Sequence, residues 1–313
     1  MSNENPEPRI AFLVLAHEHP ALCARLARRL LEAGDAVFLH LDAKCDDRFR
    51  AEFETHLGER SAQVRWVERV AVDWGGWSMI EATLAGLRAI RDAHGAERID
   101  YVYLLSGADY PIRDVSSLRA YLRRNPDRDF IEHKAADTED WVAGGFQRER
   151  YEYRHWLSWR KHPRLFSLNT ELQKRLGLKR RFPSGLTPYI GSQWWVLRWS
   201  TCERVLDAVQ SDSSLARFFR TTVVPDELFF QTLVGSWFPA ESVEDRHLTL
   251  YQFTEQGVPV TYYDGHEAFL SQQPFFFARK LSPRATRLRD ALDQSVQSAS
   301  DGAMSPKDDA VVG

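Results

Sequence analysis

Cysteine is scarce. Cys23, Cys45 and Cys202 are the only three in 313 residues, odd in number and without a C-x-x-C pair. That excludes a disulfide framework and a cysteine-built metal centre, and it fits passive thiols in a reducing compartment. No run reaches the ~18 apolar residues of a membrane span. The opening MSNENPEPR has no apolar stretch of a secretory signal. The expectation is a cytoplasmic protein with at most peripheral membrane association. Neither sign of charge dominates: 41 Lys and Arg face 44 Asp and Glu, a net charge of -3. That argues against a bulk polyanion binder and leaves room for a local basic patch, and no nucleic-acid partner is expected. G-x-x-x-x-G-K-[ST], G-x-G-x-x-G and G-x-S-x-G are all missing. Their absence removes the P-loop, the dinucleotide fingerprint and the nucleophile elbow. What the chain holds in quantity is rings, with ten Trp, ten Tyr and eighteen Phe. Composition alone makes these core filler, although Trp and Tyr also suit sugar and nucleoside faces.

The apolar pattern predicts an α/β layer fold. Arg9 to Ala16 reads as a strand buried on both faces, Pro20 to Gly34 as a helix, and Ala36 to Leu41 as a second buried strand. Val64 to Val67 is a third strand. Ser78-Met79-Ile80-Glu81 has the form of a capping box that opens a helix to about Ala93. Tyr101 to Leu105 is a fourth buried strand, Val115 to Arg124 a helix and Asp129 to Glu132 a short strand. Strand character returns at Tyr189 to Leu197, followed by helices over Thr201 to Val209 and Pro225 to Leu233. Ser282-Pro283 opens a last helix to about Val296. One domain is expected over 9–296, between disordered ends at 1–8 and 297–313, with a basic and aromatic cap over 135–185. In such folds ligands gather at the carboxyl ends of strands, which singles out the polar residues His17, Asp42 and Asp109.

Several constellations could carry chemistry. Asp226 and Glu227 follow Pro225, where a first-turn carboxylate either complements the helix dipole or serves as a general base. Arg279-Lys280 follows three phenylalanines, a fixed pair of cations that suits a diphosphate. His17-Glu18-His19 lacks further metal-ligand spacing, and Asp127-Arg128-Asp129 precedes a strand rather than ending one. No metal is expected. The basic-aromatic stretch Arg148 to Arg164, with Trp156 in it, reads as a cap or an acceptor groove.

Seven segments in order resemble glycosyltransferase family 14: AFLVLAHEHP, VFLHLDAKCDDRF, VDWGGWSMIEATLAGLRAI, YVYLLSGADYPIR, GSQWWVLRWS, VVPDELFFQTLV and FFFARKL. That family holds the core-2/I-branching β-1,6-N-acetylglucosaminyltransferases and the peptide O-xylosyltransferases. The resemblance implies a GT-A-like fold, a Rossmann-type nucleotide-binding sheet with helices on both faces and an irregular acceptor-side cap. It further implies an inverting, metal-independent transferase that moves xylose or N-acetylglucosamine from a UDP-sugar to a glycan or glycoconjugate hydroxyl. Glu227 matches the catalytic carboxylate. Asp42 and the Val72-Asp73-Trp74 stretch match nucleotide contacts, with Ala16, His17 and Asp109 beside them. Arg279 and Lys280 match the diphosphate cations, and Gln193 and Trp194 fall at the sugar side with Asp226 and Trp156. Xylosyltransferases carry an acid where Gln193 stands, and the family's Ser-Pro before FARK is reduced to Val258-Pro259. Two alternatives stay open: a non-catalytic carbohydrate- or nucleic-acid-binding module, and a metal-dependent transferase using Asp109.

Overall fold

The computed structural model describes residues 6–136, 147–255 and 258–301. Four strands form where the apolar runs predict them: β1 (Ile10–Ala16), β2 (Ala36–Leu41), β3 (Val64–Trp66) and β4 (Tyr101–Ser106). Shorter pieces follow as β5 (Tyr110–Pro111), β6 (Asp129–Phe130), β7 (Lys134–Ala135) and β8 (Tyr189–Ile190). The last are β9 (Val196–Arg198), β10 (Val243–Glu244), β11 (Thr249–Leu250) and β12 (Phe277–Ala278). The central sheet runs β10-β6-β9-β4-β1-β2-β3, and every pairing except those of β9 is parallel.

Helices α1 (Pro20–Glu32) and α2 (Asp47–Leu57) cover one face of this sheet, and α3 (Ser78–His94) covers the other. The alternation along β1 explains the two layers. Ile10, Phe12 and Val14 enter the core with α1, while Ala11 and Leu13 enter the core with α3. Strand order reverses at β1, because the chain steps outward through β2 and β3 and then returns to place β4 on the other side. A crevice at the carboxyl ends of β1, β2 and β4 is the expected consequence.

Close packing of α3 on β1 depends on Gly86. A Cβ built there would lie 2.3 Å from Leu13 Cδ1. In an open helix Gly to Ala gains about 1 kcal/mol. Here the clash wins, and Gly86→Ala should cost about 1–3 kcal/mol in denaturant unfolding. Gly95, with nothing within 4 Å of the same position, is the control. Equal stability of both variants with the wild type would contradict this packing.

Four expectations change. Trp77, not Ser78, precedes α3, and Ser78 Oγ instead accepts from Asp73 N at 2.7 Å. The stretch from Tyr189 to Leu197 is not one strand. β8 pairs with β7 and β9 joins the central sheet, so Gly191 to Trp195 leaves both ladders. Gly191 drives that departure, since a Cβ there would sit 1.9 Å from the Glu132 carbonyl oxygen. The segment from Pro225 is not one helix either. A single 3-10 turn, Pro225–Glu227, breaks at Leu228 before helix Phe229–Trp237. The last helix, Thr286–Asp301, passes the expected boundary at 296. The 137–146 part of the expected cap, and residues 302–313 of the expected tail, lie outside the described residues.

Candidate active site

A cavity of about 280 Å³ opens at the carboxyl ends of β1, β2 and β4. It gathers Ala16, His17, Asp42, Val72, Trp74, Gln193, Trp194, Arg279 and Lys280 from five separate stretches of chain, together with His40 and Lys44. Each reaches it through a local cause. Ala16 and Asp42 terminate neighbouring parallel strands, and Asp42 N donates to Ala16 O at 2.9 Å. Asp42 Oδ1 then accepts from Lys44 N (2.9 Å) and Val72 N (3.3 Å), which pins the loop after β3 against the cavity. Gly75, in the left-handed region at φ 73°, turns that loop, and Gly76 N donates to Asp73 O at 3.0 Å.

Asp73 does not line the cavity. Its carboxylate is held by Lys161 Nζ at 2.8 Å to each oxygen, with Lys44 Nζ at 3.5 Å. The Lys161 hydrogen bond keeps this carboxyl below the usual range. Trp74, half exposed, meets Trp159 at 6.2 Å between centroids and carries Arg160 over its ring at 4.4 Å. The basic-aromatic segment therefore overhangs the cavity mouth. Trp156, from the same loop, is 65% exposed and outside the lining.

The opposite wall is cationic. Arg279 follows β12 and stacks its guanidinium over Trp194 at 3.7 Å. Its Nε faces Asp109 Oδ1 at 3.7 Å, while Nη1 is buried with no hydrogen-bond partner among the described residues. Asp109 itself does not line the cavity. It is 2% exposed, and Ser106 donates to it through N (2.8 Å) and Oγ (2.6 Å). Burial raises its carboxyl above the usual range and lowers Arg279, so each offsets the other's desolvation. Asp109 thus steadies Arg279 from behind. Gln193 Nε2 is also buried and without a partner among the described residues.

Glu227 sits on the 3-10 turn, outside the helix, with its side chain 24% exposed. Glu227 is not part of the cavity lining, but its turn is tied to two loops that reach it: Val224 N donates to Gly75 O at 3.0 Å, and Gly191 N donates to Glu227 O at 3.1 Å. Val224 occupies the left-handed region at φ 48°, a strain of about 1–3 kcal/mol for a β-branched residue. Arg150, fully buried, compensates by donating from Nη2 to Val224 O at 2.8 Å and approaching Glu227 Oε2 at 3.7 Å. Arg150 Nε and Nη1 have no hydrogen-bond partner among the described residues. Asp226 points inward, and burial followed by the Glu227 charge raises its carboxyl well above the usual range. Of the adjacent acids, Glu227 is the accessible one.

Sequence reasoning missed Lys44, His40, Arg150, Glu132 and Tyr251. Tyr251 OH donates to Glu132 Oε2 at 2.5 Å, and Ser192 N donates to the same oxygen at 3.2 Å. Burial, followed by the Glu132 charge, raises the Tyr251 phenol above its usual range. Glu132 follows β6, so the strand-end rule that found Asp42 applied to it too. Tyr251 and Arg150 carried no comparable signal. Asp129 of the D-x-D string bonds Arg198 and Thr201 at 2.7 Å each, at the opposite end of the sheet.

His40 lies under the cavity floor, and its Nε2 accepts from Val70 N at 3.0 Å. Burial pushes it down to about 4. The unfolded chain takes up this proton near 6.5, the folded chain only near 4. His40 therefore contributes stability that is complete above pH 6.5 and lost as pH falls toward 4, on the order of 3 kcal/mol. Asp35, pushed up to about 6, acts with the opposite sign. The difference between wild type and His40→Gln isolates the histidine: denaturant unfolding at pH 7.5 and 4.5 should show a weaker pH dependence in the variant. Identical pH dependence would contradict this assignment.

The sequence model of the Core-2/I-Branching enzyme family matches residues 10–271. The chain belongs to this family of glycosyltransferases. Among its relatives, human xylosyltransferase 2 is 28% identical over 254 residues, 78% of this chain and 26% of the human protein. Rat xylosyltransferase 1 is 25% identical over 300 residues, 88% of this chain and 34% of the rat protein. This family member thus spans only about a quarter to a third of those relatives' length. The mannosyltransferase Ktr4p from S. cerevisiae superposes with a TM-score of 0.28 at 9% identity, over 72% of this chain and 70% of that one. A score that low says nothing about the site, and the α/β class stands on the sheet order itself. Among the described residues of this branching-enzyme relative, no three His, Cys, Asp or Glu side chains are grouped to hold a metal ion. Nor is any described helix long and apolar enough to cross a membrane.

Proposed function

We propose that this chain transfers a sugar, xylose or N-acetylglucosamine, from a UDP-sugar to a hydroxyl of a glycan or glycoconjugate, with inversion and without a metal ion. One observation carries the reading: the turn bearing Glu227 is hydrogen-bonded to Gly75 and Gly191, in the two loops that bring Trp74 and Gln193 to the cavity whose lining includes Arg279 and Lys280. Glu227 takes the proton of the acceptor hydroxyl as its oxygen bonds to the anomeric carbon. The bond from that carbon to the diphosphate oxygen breaks, and UDP leaves with the electron pair. Arg279 and Lys280 neutralise the charge that develops there, the work a divalent cation does elsewhere. Burial of the Arg279 guanidinium strengthens that field.

Asp42 and the Val72 backbone receive the nucleoside, with Ala16 and His17 beside them. Trp194 and the unpartnered Gln193 amide face the sugar. Asp109 and Asp73 act at one remove, through Arg279 and Lys161. Trp156 and the overhanging segment meet the acceptor. Three unpaired cysteines fit the reducing cytoplasm as the place of work. Thermal unfolding with UDP-xylose, UDP-GlcNAc, UDP-glucose and UDP-galactose tests the donor class. Binding at 100 times Kd stabilises by about 2.7 kcal/mol, so the true donor should raise Tm by several degrees in EDTA. No shift with any UDP-sugar would overturn the proposal.

A further inference from the structure

Helix Pro163–Arg175 buries Phe166, Thr170 and Gln173 against the body of the protein. Its outer side is not polar. Leu165, Leu168, Leu172 and Leu176 are 54, 66, 53 and 61% exposed. At 3.6 residues per turn these four fall within an arc of about 80°. Hydrogen bonds from Asn169 Nδ2 and Gln173 Nε2 to Arg154 O, at 3.0 and 2.8 Å, tie the preceding loop to this helix. That loop adds Trp156 (65% exposed) and Leu157 (40%) close by. Apolar side chains of this size, exposed in a row, mark a docking surface.

The charge around the stripe identifies what docks. Between Arg160 and Arg181 there are eight Lys and Arg and one acid, Glu171, in a chain whose net charge is -3. Arg164 and Arg175 lie side by side on the helical projection, about 20–40° beyond Leu168 along one edge of the stripe. With Arg181, they have no ion pair among the described residues. A leucine stripe bordered by arginine and preceded by an exposed Trp is the composition of a helix that lies in a bilayer interface, with its apolar side among acyl chains and its cations on anionic headgroups. An acidic apolar protein partner would match the charge equally, but an exposed Trp beside a flat leucine arc fits the plane of a membrane better than a groove.

We infer that the Trp156–Arg181 surface docks this protein on anionic membranes, lying flat without crossing them. The inference does not depend on the transferase proposal. Because Lys161 and Arg160 join this segment to Asp73 and Trp74, the cavity mouth would sit beside the bilayer.

The test is vesicle co-sedimentation of the full chain. Vesicles of phosphatidylcholine alone are compared with vesicles of phosphatidylcholine and phosphatidylserine in roughly 3:1 ratio. Binding should need phosphatidylserine and weaken with salt. Leu168→Ser/Leu172→Ser and Arg164→Glu/Arg175→Glu should each weaken it about tenfold or more. All four positions are exposed, and unchanged thermal midpoints confirm intact folds. Absence of binding to anionic vesicles, or binding that both variants retain, would overturn the inference. So would a concentration-dependent dimer in sedimentation velocity that Leu168→Ser/Leu172→Ser abolishes, since a second copy would then own the surface.

Discussion

Glu227→Gln should leave UDP binding within about twofold of wild type and lower the transfer rate by roughly 10²–10⁴-fold. The amide keeps the size of the acid and the Arg150 bond to Val224 O, but it removes the charge facing the buried Arg150, so an unchanged thermal midpoint is read beside the rate. What it loses is the ability to take a proton. The strained Val224 turn, held by Gly75, Gly191 and Arg150, fixes where this side chain sits. Asp226 is no substitute: its side chain is turned inward, and burial beside Glu227 favours its protonated form. Asp226→Asn should therefore cost far less than Glu227→Gln. UDP release assayed with acceptor at saturating donor distinguishes the two. A Glu227→Gln enzyme with wild-type turnover would remove Glu227 from the chemistry.

Arg279→Ala should lower kcat/KM by roughly 10²–10³-fold, the scale of losing a preorganised group that stabilises transition-state charge. Arg279→Lys should recover only a small part of it. A lysine cannot stack flat on Trp194 while offering a second N–H to a phosphate oxygen, and the guanidinium now does the first at 3.7 Å. Removing Arg279 also leaves Asp109 buried without its counter-charge, so lost activity could reflect a weakened fold. Arg279→Ala/Asp109→Asn separates these effects: the double variant should regain stability without regaining activity. If it regains activity, Arg279 is structural and the leaving-group role fails. Lys280→Ala should show a smaller loss, because an ammonium is a point charge without the planar fork that lets Arg279 bind two oxygens at once.

The parts of this site that were legible share a physical cause. Continuous apolar runs identify parallel strands, and strand ends point to the crevice, which picked out His17 and Asp42 in the cavity lining and Asp109 outside it. Glu227 and Arg279 stood out through the strings around them. Long-range partners were not legible. Arg150 is 74 residues from the carbonyl it supports, and Tyr251 is 119 residues from Glu132. Local spacing carries no trace of such pairs. The roles of Asp73 and Asp109 changed for the same reason, because Lys161 and Arg279 reach them from far along the chain. The aromatic excess is divided as well. Trp195, Phe229 and Phe230 are core, whereas Trp74 and Trp194 line the cavity.

The claim on which the rest depends is that this cavity holds a UDP group by fixed protein charge. Calorimetric titration of UDP into the wild-type chain, once in EDTA and once with Mn²⁺, tests it directly. Saturable one-to-one binding of equal affinity in both buffers is the predicted result. Binding that appears only with Mn²⁺, or no binding in either, would contradict it.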